Sequence, residues 1–143
     1  MKAQVAIKDG KIVKIARHID GEAKQVIDAT GKVITPGFVD SHSHSDNQFS
    51  SNPLQTEKIE QGITTSVAGQ CGGSVCSANA ADFLDKAKDA SLGANMALLI
   101  GHGSIRRAVF GTENREPTPE ELEKMKDLCA LLWNTVHWVF PSV

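Results

Sequence analysis

A chain of 143 residues with 41% hydrophobic content can bury one modest core, so a single domain or a piece of one is expected. With 15 Lys and Arg against 17 Asp and Glu and no basic stripe, neither nucleic acid nor an anionic membrane is expected as a partner, and small ligands fit better. No apolar run reaches the roughly 18 residues that span a bilayer, and "MKAQVAIKDG" meets charge and a turn before a signal-peptide core can form, which makes the cytoplasm the expected location.

In chain order, "AQVAIKDGKIVKIA" alternates apolar and polar residues on both sides of Asp9-Gly10, the pattern of a two-strand hairpin. Two further short strands are expected in "KQVIDA" around Val26 and in "KVITP" ending at Pro36, separated by Thr30-Gly31. Residues 1–36 therefore read as one β unit. From Phe38 the rhythm changes to strand-helix alternation. The strand "FVD" gives way to a helix expected over Pro53–Gln61, then come the strand "ITTSVA", a helix from about Asn79 to Ser91, and the strand "NMALLI". A loop follows. The next helix is marked by Thr118 as its cap, Pro119 at the first helical position and Glu121 completing a capping box. Leu122, Met125, Leu128 and Leu132 recur on one face of it, the face that packs onto a sheet. Buried strands joined by helical crossovers imply an α/β fold with parallel pairing, whose functional residues gather at the carboxyl ends of the strands.

The first such end carries "DSHSHSD". A period of two sends His42 and His44 to the same side, close enough to grip one cation. Two ligands do not complete a zinc shell, and polar loop residues could share this spacing. The second strand end supplies Cys71 in the glycine-rich turn "SVAGQCGGS". Thiolate and imidazole are both good zinc ligands; a small buried apolar side chain is the alternative for Cys71, made awkward by the flanking glycines. The chain's three cysteines, an odd number without secretory context, are expected as free, buried or metal-binding thiols. Cys76 and Cys129 lie in ordinary surroundings. The third strand end, "IGHGSIRR", adds His102 and Arg106 as pocket candidates, and Asp46 joins them from the first. For His102 a hydrogen-bonding or turn role competes with ligation.

Together "TPGFVDSHSHSD", "EKIEQGITTSVAGQCGGS" and "IGHGSIRRAVFG" resemble the amidohydrolase superfamily, in the D-aminoacylase (N-acyl-D-amino-acid deacylase) branch, over about Asp28 to Leu128. The resemblance implies a metal-dependent hydrolase built as a (β/α)₈ TIM-type barrel, with a small β-sandwich to which residues 1–36 contribute. Residues 37–128 would then be the first strand-helix units of the barrel. It implies His42 and His44 as strand-one metal ligands and Cys71 as the cysteine ligand that sets this branch apart. The implied cofactor is zinc, one or two divalent ions in the intact family. The implied reaction is hydrolysis of a small N-acyl-D-amino acid to a carboxylate and a free D-amino acid, with a carboxylate moving the proton to the leaving nitrogen. Ser45 stands where the family often has Asp, and Gln70 where Asn is usual; both could alter hydrogen bonding beside the ligands.

A complete barrel needs about 250 residues, so the later histidine ligands, the catalytic aspartate and the substrate-binding groups are expected beyond this chain. No catalytic residue is assigned within it, and it is expected to be inactive alone. Residues 129–143 depart from the family, which continues this helix with a segment of the kind "LREALEHGALGIS". Back-translating "CALLWNTVHWVF" from the third base of the Cys129 codon permits "RAAMEHGALGIS", which points to an out-of-frame tail. Two other readings stand beside the truncated deacylase. One is a non-catalytic metal-binding or interaction fragment using His42, His44 and Cys71. The other is a different amidohydrolase, a cyclic amidase of the dihydroorotase or dihydropyrimidinase kind.

Overall fold

The computed structural model describes residues 2–75, 85–87 and 89–135, and the chain divides into two compact units, Met1–Thr35 and Pro36–Val143. Cys76 lies outside the described residues, as does much of the helix expected over 79–91, of which residues 85–87 and 89 are helical.

In the first unit, β1 (Gln4–Lys8) pairs antiparallel with β2 (Lys11–Ala16). Asp9 and Gly10 both adopt positive φ, 51° and 70°, which is what a two-residue turn matched to strand twist requires. The two further strands read around Val26 and up to Pro36 do not form. What remains there is a turn, in which the Thr30 N–H donates to Asp28 Oδ1 and the Lys32 N–H to the Ala29 carbonyl, each at 2.9 Å. A strand needs an edge to pair with, and β propensity alone does not supply one. Val26, Ile27, Val33 and Ile34 accordingly stay exposed.

The second unit is built on a parallel sheet of order β3-β4-β5, comprising β3 (Phe38–Asp40), β4 (Ile63–Ala68) and β5 (Asn95–Leu98). Helix α1 spans only Thr56–Ile59, shorter than the pattern over Pro53–Gln61 suggests. Asn52 explains the late start. Its side-chain oxygen accepts the Gln55 N–H at 3.2 Å and its amide reaches Glu57 at 3.0 Å, while Gln55 itself turns left-handed at φ 46°. Such a local Asn turn competes with helix.

After β5 the segment read as a loop holds a further helix, α2 (His102–Phe110). Gly101 and Gly103 hide it in the sequence, because glycine next to the start of a helix reads as a turn. Helix α3 (Pro119–Thr135) begins as its motif requires: the Glu121 N–H donates to Thr118 Oγ1 at 3.2 Å and the Thr118 N–H to Glu121 Oε2 at 2.8 Å. On its exposed side Lys126 pairs with Glu123 at 2.8 Å. Ala68, Met96 and Leu98 of the sheet meet Ile105 and Phe110 of α2 and Met125 and Leu132 of α3 in one core. Leu128 packs against it, whereas Leu122, expected on the same face, stays exposed because it lies in the first turn of α3. The result is an α/β unit whose strand ends β3 and β4 lie side by side.

Candidate metal centre

Past Asp40 the chain stays attached to β4, because the Ser43 N–H donates to the Val67 carbonyl at 3.0 Å. That attachment holds the histidine segment beside the end of β4. The His42 and His44 rings face one another edge to face, with centroids 6.1 Å apart. Beyond Ala68 the chain turns through Gly69 (φ 78°), Cys71 (φ 56°) and Gly72 (φ 76°). Left-handed backbone is ordinary for glycine but costs a cysteine on the order of 1 kcal/mol or more. It brings Cys71 Sγ to 3.2 Å from His42 Nε2. One donor atom from each of His42, His44 and Cys71 lies within 4.8 Å of the others, and all three side chains are exposed. Two imidazoles and a thiolate form a donor set that would suit zinc.

Several side chains fix the cysteine turn. Asp46 is fully buried, and its two oxygens accept the Gly69 N–H at 3.2 Å and the Val75 N–H at 3.0 Å, one at each end of the turn. Gln70 donates to the Ser41 carbonyl at 3.0 Å, tying the turn to the histidine segment. From the β5 side the Ser104 hydroxyl donates to the Ser74 carbonyl and accepts the Ser74 N–H, both at 2.8 Å. Gly101 lies so close that a Cβ there would stand 2.5 Å from the Gly72 carbonyl oxygen.

Behind the histidines lies a charged network. Lys58 donates to Asp40 Oδ2 and Ser43 Oγ, both at 2.7 Å, and to Ser66 Oγ at 3.1 Å. The Lys58 ammonium holds the Asp40 carboxyl below the usual carboxylate range, with partial burial opposing and the His42 N–H assisting. Ser45, where the resemblance expects Asp, is buried and shares a hydrogen bond with Ser43.

Of the residues singled out in the sequence, His42, His44 and Cys71 come together. Asp46 is buried beneath them, with both its oxygens serving the cysteine turn. His102 begins α2, exposed, and is outside the donor cluster found among the described residues. Arg106 braces the loop after α2. It donates to the carbonyls of Glu113 and Arg115, the latter at 2.9 Å, and stacks on Phe110 at 4.3 Å. Sequence reading misses Lys58, Asp40, Ser66 and Ser104. The Lys58 contacts run across 18, 15 and 8 residues, and no local pattern announces them.

A model of the amidohydrolase family matches residues 25–128. A D-aminoacylase of Alcaligenes xylosoxydans xylosoxydans is 32% identical over 89% of this chain and 31% of its own length. Among solved structures, a D-aminoacylase studied for its binuclear metal centre superposes with a TM-score of 0.85 at 31% identity, covering 93% of this chain and 32% of that one. An N-acyl-D-glutamate deacylase from Bordetella bronchiseptica, complexed with zinc and a phosphonate inhibitor that mimics the tetrahedral intermediate, gives 0.82 at 28% identity over 92% and 32%. The chain thus spans about a third of the length of the relatives it matches.

Proposed function

The chain belongs to the amidohydrolase family, and from that membership we propose that it is the leading portion of a zinc-dependent deacylase of N-acyl-D-amino acids. The observation that carries this reading is the convergence of His42, His44 and Cys71 within 4.8 Å. Residues 1–36 form the leading share of a β-sandwich, residues 37–128 the first strand-helix units of a (β/α)₈ barrel, and residues 129–143 an out-of-frame tail. The family match ends at Leu128, just before the residue at which the frame would shift.

Zinc held at such a site lowers the pKa of water towards neutrality and polarises the amide carbonyl of the substrate. The chain's own residues prepare for that. His42 and His44 present imidazole nitrogens from the end of β3, and Cys71 presents its sulfur from the turn after β4. Asp46, Gln70 and Ser104 hold the cysteine turn against the histidine segment, as outer groups that orient ligands do. The carboxylate that moves the proton to the leaving nitrogen, the remaining ligands and the substrate-binding groups lie on strands that would follow these.

The test has two arms. Equilibrium dialysis of the purified chain against zinc should show uptake that H42A, H44A and C71A each abolish. With N-acetyl-D-amino acids the chain alone should give no turnover, and activity should appear when a second polypeptide supplies the rest of a related barrel. Zinc uptake indifferent to all three substitutions would remove the reading.

A further inference from the structure

Lys58 falls in a stretch that carries the family resemblance but has no role assigned from the sequence, and it lies where the two ligand-bearing segments meet. An ammonium has three protons to donate, and all three find oxygen here: Asp40 Oδ2, Ser43 Oγ and Ser66 Oγ. Two of those partners flank His42. Asp40 Oδ1 accepts the His42 N–H at 3.2 Å, and Ser43 Oγ accepts the Ser45 N–H at 3.1 Å, so the backbone around both histidines is pinned to groups that Lys58 grips. The third partner, Ser66, is buried on β4, the strand that runs on into the Cys71 turn. The Lys58 side chain is 16% exposed and Asp40 is 27% exposed, so this network is sheltered from the screening that weakens surface pairs.

We propose that Lys58 is a positioning residue for the metal centre, holding the His42–His44 segment at the distance from β4 that lets two imidazoles and the Cys71 thiol meet one divalent cation. This rests on the metal reading above. It differs in direction from a simple charge effect. A lysine acting only as a nearby positive charge would repel the metal, and its loss would leave Asp40 uncompensated beside the site, so removal would tighten binding. A lysine acting through its hydrogen bonds gives the opposite sign. Arginine keeps the charge but not the compact three-way donation, because its donors lie in one planar fork.

Zinc dissociation constants of the full chain, measured by chelator competition well below the melting temperature, decide between them. K58M should weaken zinc binding about 10–100-fold, the range seen when groups that orient metal ligands are lost, and K58R should weaken it as well. M125A, which opens the core without touching the network, should lower the melting temperature yet leave the zinc affinity of the folded protein unchanged. If K58M does not fold, S66A and S43A carry the test, each with a smaller loss in the same direction. Zinc affinity in K58M equal to or tighter than that of the original chain overturns the proposal while leaving the metal reading intact. A failure of the unsubstituted chain to bind zinc overturns both.

Discussion

Cys71 carries a conflict that a single side chain can expose. Its φ of 56° suits glycine, and the residue is exposed, so its side chain gains little from burial. C71G should therefore raise the thermal stability of the metal-free chain, by up to about 1 kcal/mol once the greater unfolded-state freedom of glycine is deducted. The same substitution should abolish zinc uptake. A calorimetric scan in the presence of chelator checks the first part, and a destabilised C71G would mean that the left-handed turn is not strained. The neighbouring Gly101 gives the reverse case. An added methyl would meet the Gly72 backbone, which cannot yield as a flexible side chain does, so G101A should displace the cysteine turn and weaken zinc binding while leaving β1 and β2 intact. The histidine spacing and the glycine-flanked cysteine were legible in the sequence because each is a local pattern. Asp46 was visible only as an acid near the histidines, and its role as a staple of the cysteine turn, 23 and 29 residues away, was not.

Helix α3 shows what a sequence tells reliably about an element. Its cap, first-turn proline and glutamate sit within a few residues of one another, and all the hydrogen bonds they imply are made. T118A should cost about 1 kcal/mol, the usual value for losing such a cap, measurable by urea denaturation. Glu121 adds a pH dependence. Hydrogen bonds from Arg115, and then from the Thr118 N–H, lower its pKa from the ordinary 4.5 to about 2. Because the folded value lies below the unfolded one, its contribution to stability is complete above about 4.5 and fades as the pH falls toward about 2. In an NMR titration of the Glu121 carboxyl, R115M should move the midpoint upward; an unmoved midpoint would contradict the pairing. The short α1 and the unannounced α2 mark the limit of such reading. One is delayed by an Asn52 turn that competes with helix, and the other begins among glycines that mimic a loop.

At the scale of the whole molecule, what the sequence conveys depends on which partners the chain supplies. Strands β3 and β5 each pair in parallel with β4, as strand-helix alternation leads one to expect. The strands expected around Val26 and before Pro36 find no partner among the described residues, and their apolar side chains remain exposed. Leu132 is instructive in the opposite sense. It is fully buried, although it falls beyond the family match, because its helical spacing from Met125 and Leu128 places it on the apolar face. Sequencing the locus tests the out-of-frame tail proposed for residues 129–143: an uninterrupted frame with a natural stop after Val143 and no deacylase-like strands downstream would contradict it. The metal centre itself is tested most directly by zinc K-edge X-ray absorption of the chain loaded with one equivalent of zinc. The account predicts one sulfur at about 2.3 Å and imidazole nitrogens at about 2.0–2.1 Å, with the sulfur shell lost in C71A. A shell of oxygen alone, unchanged by that substitution, would contradict it.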